Sequence, residues 1–407
     1  MADTTSVVQT TAGPVQGFID THVLSDKSTR SLPKSSQIPV QKFLGVPFGQ
    51  AQRWSQATPV ESWTQVRECF EFGPTCPQPA GMLSPILRKT TPGIHPREHI
   101  GSSEADMFTV SVFASEGVRE GDKVPVMAWI YGGSWKDGSN ASMFYDPTNV
   151  IRAASRPMIV VSINYRVNIF GFFASKDLID SDGLVGNYGV RDQLLGLKWV
   201  NQNIEKFGGD ADNVTIFGES AGAASVGWQV GGIDPIFRRA IAQSGAASTM
   251  GYQSVEAHEK TWQLLLSWFK IDLTDPDRVR KARAISAEDL LKFLSAHPAL
   301  QWAACIESGP NAIWAQHPDV RIAKGEYVES LESLIVGCTQ DEGSIFTQFF
   351  GMEKSQGPVD KFLGAFGEAT PYIKKYYDGI EDVQNYKGKL TDHPVSRFLH
   401  DALFDGP

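Results

Sequence analysis

Short runs of apolar and β-branched residues recur at five places along the chain. They occupy residues 126–131, 158–164, 214–219, 239–243 and 334–338. Most successive residues in these runs are apolar, without regular alternation, which is typical of strands that are buried on both faces. Helices cover both faces of a parallel sheet, so the pattern predicts a mostly parallel central sheet.

A helical period lies between two of these runs, at residues 189–206, where apolar residues recur every three or four positions. These apolar residues are Val190, Leu194, Leu197, Val200 and Ile204. Gly208 follows as a terminating glycine. Strands that alternate with helices predict an α/β fold, with helices on both faces of the sheet. We expect a single domain over residues 1–407, in which residues 249–329 form a helical cap or side layer.

The charge balance narrows the set of partners. The 407 residues include 37 Lys and Arg and 46 Asp and Glu, which gives a formal net charge of −9. Nucleic acids and anionic membranes would be repelled by such an average surface, so neither is an expected partner. No apolar run is long enough to span a bilayer. Residues 1–11 lack the apolar stretch of a signal peptide, so we expect a cytoplasmic protein.

Metal and cofactor chemistry finds no support in the sequence. None of the four cysteines, at positions 69, 76, 305 and 338, lies in a CxxC pair, the spacing typical of zinc and redox sites. Phosphate-binding loops, HExxH and the glycine fingerprint of dinucleotide-binding folds are also absent. We therefore expect neither a metal nor a cofactor.

The strongest chemical signal is the segment Gly218-Glu219-Ser220-Ala221-Gly222, which ends the predicted strand 214–219. G-x-S-x-G between a strand and a helix is typical of a nucleophile elbow, in which the serine lies on a strained turn. The residues two before and two after the serine must then be small. A chance match in a turn of small residues is the competing interpretation. The flanking strand and helix favour Ser220 as the nucleophile.

A glycine pair, Gly132-Gly133, follows the predicted strand 126–131. Acyl transfer creates an oxyanion, which backbone N–H groups must stabilise. We assign the oxyanion hole to the N–H groups of Gly132, Gly133 and Ala221. A simple glycine turn is the alternative interpretation, and the position of the pair ahead of the elbow favours the oxyanion hole. We expect the neighbouring Trp135 to line the pocket.

Several longer segments resemble the type-B carboxylesterase/lipase family, which includes cholinesterases and fungal lipases. The most similar segments are residues 164–166, 183–193, 197–204 and 207–210 and the elbow, and residues 43–48 and 73–78 fit the opening pattern of the family. The resemblance covers nearly the whole chain. It implies an α/β-hydrolase fold and the hydrolysis of small-molecule carboxylic esters through an acyl-serine intermediate.

The resemblance also implies a catalytic triad in the chain order Ser, Glu, His. The acid of the family lies in a D-E-G turn after a late strand. Here that turn is Asp341-Glu342-Gly343, after the predicted strand 334–338, so Glu342 resembles the acid. Such a carboxylate orients the histidine and stabilises its cation. A solvated loop glutamate is the plainer interpretation, and the position after the strand favours the triad role.

Two features depart from the family pattern. The family pairs a cysteine like Cys76 with one in the segment that matches residues 103–107, where this sequence has none, so we expect no such disulfide. The triad histidine of the family follows the last core strand. After Glu342 the sequence holds only His393 and His400, and neither follows a β-branched apolar run. We expect both to be surface or helix-packing residues, and we expect the last strand and C-terminal helix of the fold to be missing before Pro407.

Two hypotheses about function stay open at this point. The first is an active serine carboxylic ester hydrolase. The second is a non-catalytic α/β-hydrolase-fold protein that binds or interacts with a partner, which would explain the missing histidine. The presence together of Ser220, Glu342 and the glycine pair favours the first hypothesis.

Overall fold

The structure, a computed structural model, describes residues 3–21, 38–79, 100–179, 183–349, 351–352, 355–364 and 367–402. The strands in these ranges are β1 (Thr4–Gln9), β2 (Pro14–Asp20), β3 (Val40–Pro47), β4 (Gly49–Gln50), β5 (Thr58–Pro59), β6 (Arg67–Glu68), β7 (Thr109–Ser115), β8 (Val124–Ile130), β9 (Ile159–Ile163), β10 (Gly209–Glu219), β11 (Arg239–Gln243), β12 (Tyr252–Gln253), β13 (Ala304–Cys305) and β14 (Ser333–Gly337). The α-helices are α1 (Thr148–Ala153), α2 (Asn168–Gly171), α3 (Tyr188–Asn203), α4 (Ala221–Val230), α5 (Val255–Trp268), α6 (Arg278–Arg283), α7 (Ala287–Ala296), α8 (Pro318–Ala323), α9 (Gly343–Phe349), α10 (Gln356–Gly364), α11 (Thr370–Tyr376) and α12 (Pro394–His400).

Ten of the strands form one mixed sheet, in the order β1-β2-β3-β7-β9-β8-β10-β11-β14, with β6 paired to β2. Every neighbouring pair from β9 to β14 is parallel, and every neighbouring pair from β1 to β9 is antiparallel. The five predicted strands are confirmed as β8, β9, β10, β11 and β14, and they form the parallel part. The α/β fold class is confirmed as well.

The antiparallel part was not predicted because its residues do not form continuous apolar runs. Strand β7 is buried along its whole length, yet it holds Thr109, Ser111 and Ser115. Strand β2 buries only alternate residues in its first half. Neither strand gives the continuous apolar signal that identified the parallel strands.

The predicted helix 189–206 is confirmed as α3 followed by a single 3₁₀ turn. Gly208 then adopts φ 90°, a left-handed conformation that favours glycine after a helix. Inside the fold, Arg166 donates from Nε and Nη2 to the two carboxylate oxygens of Asp192 on α3, each at 2.7 Å, and both side chains are buried. This bidentate ion pair ties the chain after β9 to α3.

Residues 249–329 hold helices α5 to α8 and the short pair β12–β13. The assignment of the whole chain to one domain, with this segment as its cap, stays a prediction. All four cysteines are free, and Cys76 is buried. None of the helices in the described ranges has the length and apolar character needed to cross a membrane.

Candidate active site

The segment around Ser220 has the strand, turn and helix that the sequence predicts. Strand β10 ends at Glu219 and helix α4 begins at Ala221. Ser220 itself has φ 58° and ψ −125°, a combination that is rare for a residue with a side chain and that is typical of functional sites. Its N–H donates to the carbonyl of Gln243 at 2.9 Å, so the end of β11 holds the turn in place.

The two flanking glycines leave no space for a side chain. A Cβ atom at Gly218 would lie 2.5 Å from the carbonyl group of Gly222, and a Cβ atom at Gly222 would lie 2.2 Å from the carbonyl oxygen of Ile130. Both contacts are with backbone, which cannot move aside cheaply. The steric reason for the G-x-S-x-G spacing therefore applies to this chain.

The glycine pair after β8 lies directly against the elbow. A Cβ atom at Gly132 would lie 2.5 Å from the carbonyl oxygen of Glu219 and 3.0 Å from Cβ of Ser220. Gly133 has φ 117° and approaches the backbone of Asp137 equally closely. Neither glycine N–H donates to an acceptor in the described part of the chain, and the first N–H groups of α4, starting at Ala221, have no partner within the helix. Free donors therefore lie beside Ser220.

Glu342 lies in the turn between β14 and α9, where its side chain is half-buried. Its Oε1 accepts a hydrogen bond from Ser244 Oγ at 2.6 Å and another from the N–H of Thr339 at 2.7 Å. The N–H of Ser244 in turn donates to the carbonyl of Gly337 at 2.7 Å. Ser244 therefore connects the end of β11, beside the elbow, to the carboxylate after β14. This contact was not predicted, because the sequence shows only that Ser244 and Gly245 follow a predicted strand.

Glu219, the residue before Ser220, also faces this site. Burial, and to a smaller extent the charge of Glu342, raises its pKa from the ordinary 4.5 to about 7. One of its carboxylate oxygens would lie 3.2 Å from a Cβ atom at Gly132. Glu219, adjacent to Ser220 in the chain, therefore ionises late because it is buried and because the charge of Glu342 acts on it.

The described hydrogen bonds of the two C-terminal histidines go to residues other than Ser220. His400 accepts a hydrogen bond from the backbone N–H of Glu342 through Nδ1, at 3.3 Å. His393 is buried at the start of α12, where its Nδ1 accepts from the N–H of Val395 at 3.2 Å. Within the described residues, no hydrogen bond joins Ser220 Oγ to any histidine. His22, His95 and His99 lie outside the described residues.

The expected position of Trp135 is wrong. This side chain is fully buried, stacks on Phe172 with ring centroids 4.5 Å apart, and donates from Nε1 to Ser225 Oγ at 2.9 Å. It packs against the helix that follows Ser220 and does not line an open pocket.

The geometry agrees with a comparison against known protein families. The model that describes the carboxylesterase family matches residues 4–391. The chain belongs to the carboxylesterase family. This confirms the resemblance found in the sequence.

Individual carboxylesterases are similar over much of the chain. A para-nitrobenzyl esterase of Bacillus subtilis is 32% identical over 75% of the chain and 60% of its own length. The liver carboxylesterase of Sus scrofa is 36% identical over 89% of the chain and 63% of its own length. The crystal structure of carboxylesterase EST55 from Geobacillus stearothermophilus has a TM-score of 0.77 at 28% identity, over 99% of this chain and 75% of that one. The chain spans less than two thirds of the length of the two curated relatives.

Proposed function

We propose that this carboxylesterase-family chain hydrolyses small carboxylic esters, with Ser220 as the nucleophile and an acyl-serine intermediate. The observation that carries the proposal is the strained backbone of Ser220 at the junction of β10 and α4, with Gly132 packed against it. Strain of this kind costs about 1–3 kcal/mol and persists where the surrounding structure enforces it. The similarity to carboxylesterases supports ester hydrolysis as the reaction class.

In the proposed reaction, Ser220 Oγ attacks the ester carbonyl carbon while its proton passes to a base. The carbonyl electrons move to the oxygen, and the N–H groups of Gly132, Gly133 and Ala221 stabilise the resulting oxyanion. Collapse of this intermediate expels the alcohol, which takes up a proton, and leaves an acyl-serine. Water then attacks the acyl group in the same way, releases the carboxylic acid and restores the serine hydroxyl.

Glu342 is the proposed acid of the triad. Its hydrogen bonds from Ser244 and Thr339 orient the carboxylate, as required of a group that must hold an imidazole in one orientation. No described contact places a base against Ser220. The competing function, a non-catalytic binding protein, depends on this single point.

Hydrolysis of p-nitrophenyl butyrate by the purified chain tests the proposal, with Ser220→Ala as the matched control. We expect sustained turnover that Ser220→Ala abolishes, and an acyl group on Ser220 in intact-protein mass spectra of samples quenched during turnover. The variants His393→Ala and His400→Ala would then identify whether either residue is the base. A folded chain that binds the ester but neither forms the acyl-serine nor releases product would overturn the proposal and favour the binding protein.

A further inference from the structure

A cavity lies at the opposite end of the parallel strands from Ser220. Its volume is about 610 Å³, which is within the range of small-molecule sites. Its lining residues are Pro125, Val126, Met127, Ala154, Ser155, Arg156, Met158, Asn213, Thr215 and Arg239. Thr215 precedes Ser220 by five residues on β10, a separation of about 16 Å at the rise of a strand. The cavity is therefore distinct from the candidate active site.

The cavity carries one uncompensated positive charge. Arg239 donates to Asn213 Oδ1 at 2.7 Å and to Glu332 at 2.8 Å. Glu332 also accepts from Arg238 at 3.1 Å, and Asp212 lies 3.9 Å from Arg238, so two carboxylates offset these two arginines. Arg156, on the loop between α1 and β9, is exposed and forms no hydrogen bond or ion pair with any described residue. Its planar guanidinium group can bind a carboxylate through two parallel hydrogen bonds.

The rest of the lining combines an apolar wall with neutral donors. Met127 and Met158 are half-buried, and their side chains adapt to apolar ligands of irregular shape. The hydroxyl group of Thr215 lies in the same row of the sheet as Met127 and Arg239, because these residues pair across β8, β10 and β11. The Oδ1 atom of Asn213 accepts from Arg239, so its amide N–H groups are left as donors.

We propose that this cavity binds an organic monocarboxylate with an aromatic or short aliphatic body. The carboxylate pairs with Arg156, and the apolar body packs on Met127 and Met158. One free guanidinium matches a monoanion better than a dianion such as a phosphate monoester. The apolar wall favours an acid with a carbon body over an inorganic anion.

Isothermal titration calorimetry with 2-naphthoate tests the proposal on the full chain. The uncharged 2-naphthamide and inorganic phosphate are the comparison probes. We expect 2-naphthoate to bind, and both comparison probes to bind at least about tenfold more weakly. The amide lacks the charged carboxylate and therefore loses the charge-assisted hydrogen bonds to Arg156. Added salt is expected to weaken the binding of 2-naphthoate, because the cavity is partly open to solvent.

Variants then locate the site. Arg156→Gln changes an exposed side chain, so the protein should stay folded, and it should weaken 2-naphthoate binding by about tenfold or more. Arg397→Gln, at an exposed arginine on α12, is the matched control and should leave the affinity unchanged. Met158→Ala should weaken 2-naphthoate binding through the loss of apolar contact. Absence of binding, equal affinity for the amide or for phosphate, or equal affinity in Arg156→Gln would each overturn the proposal.

Discussion

Two strands lead to the candidate catalytic groups, and one is buried in the centre of the sheet while the other lies exposed at its edge. Strand β10, which ends at Ser220, pairs with β8 on one side and with β11 on the other, and Ile216 in it is fully buried. Strand β14, which leads to Glu342, pairs only with β11 among the described strands, and Ile335 in it is 60% exposed. Ser220 is therefore held by close packing, and Glu342 by a few hydrogen bonds at the edge of the sheet.

The largest expected difference comes from adding one methyl group in each region. Gly222→Ala places a Cβ atom 2.2 Å from the carbonyl oxygen of Ile130, whereas a Cβ atom at Gly337 in β14 meets nothing within 4 Å. We expect Gly222→Ala to cost about 3 kcal/mol or more and to abolish esterase turnover. Gly337→Ala should change the free energy of unfolding by less than about 0.5 kcal/mol. Urea unfolding and p-nitrophenyl butyrate assays of both variants measure this, and equal effects would contradict the contrast.

Truncation of an isoleucine should repeat the contrast through cavity formation. Ile216→Ala removes fully buried methyl groups and should destabilise the fold by about 3 kcal/mol. Ile335→Ala removes groups that are mostly in water and should change the free energy of unfolding by less than about 0.5 kcal/mol. The midpoints of urea unfolding compare the two. A loss at Ile335 as large as that at Ile216 would show that the outer strand is covered in solution.

The pH dependence of stability should report on Glu219, which lies on the packed side of the site. Below about pH 4.5 its carboxyl group is protonated in both the folded and the unfolded state. Its folded pKa of about 7 means that the unfolded state ionises first as the pH rises. Stability is then lost between about pH 4.5 and 7, by up to about 3 kcal/mol.

Glu219→Gln removes this ionisation. The variant should match the original chain in stability near pH 4 and exceed it above pH 7. Urea unfolding at the two pH values measures the difference, and a constant offset between the proteins would count against the raised pKa. Glu342→Gln should remove only part of the rise in the pKa of Glu219, because the charge of Glu342 is the smaller of its two causes.

The smallest expected effect concerns the hydrogen bond between Ser244, at the end of β11, and Glu342, after β14. Ser244→Ala removes the hydrogen bond to Glu342 and should cost about 1 kcal/mol of stability, with a drop in turnover. Ser248→Ala is the matched control, because the hydroxyl group of Ser248 is buried and has no hydrogen-bond partner among the described residues. It should be neutral or slightly stabilising. Equal loss of turnover in both variants would contradict a specific role for Ser244 in orienting Glu342.

The sequence by itself determined the features that depend on neighbours along the chain. The five apolar runs became the parallel strands, and residues 218–222 became a turn between a strand and a helix, because side-chain size and local backbone sterics decide both. The motifs between residues 164 and 225 were specific enough to indicate the carboxylesterase family, which the comparison of the whole chain confirmed.

Only the tertiary structure decided the features that join distant segments. Ser244 bonds to Glu342 across 98 residues, Trp135 packs into the core behind α4 instead of lining a pocket, and Glu219 acquires its raised pKa from burial and from Glu342. Each of these depends on which strands are neighbours in the sheet and in what register. No local pattern of polar and apolar residues encodes that arrangement, because burial is a property of the assembled sheet and its helices.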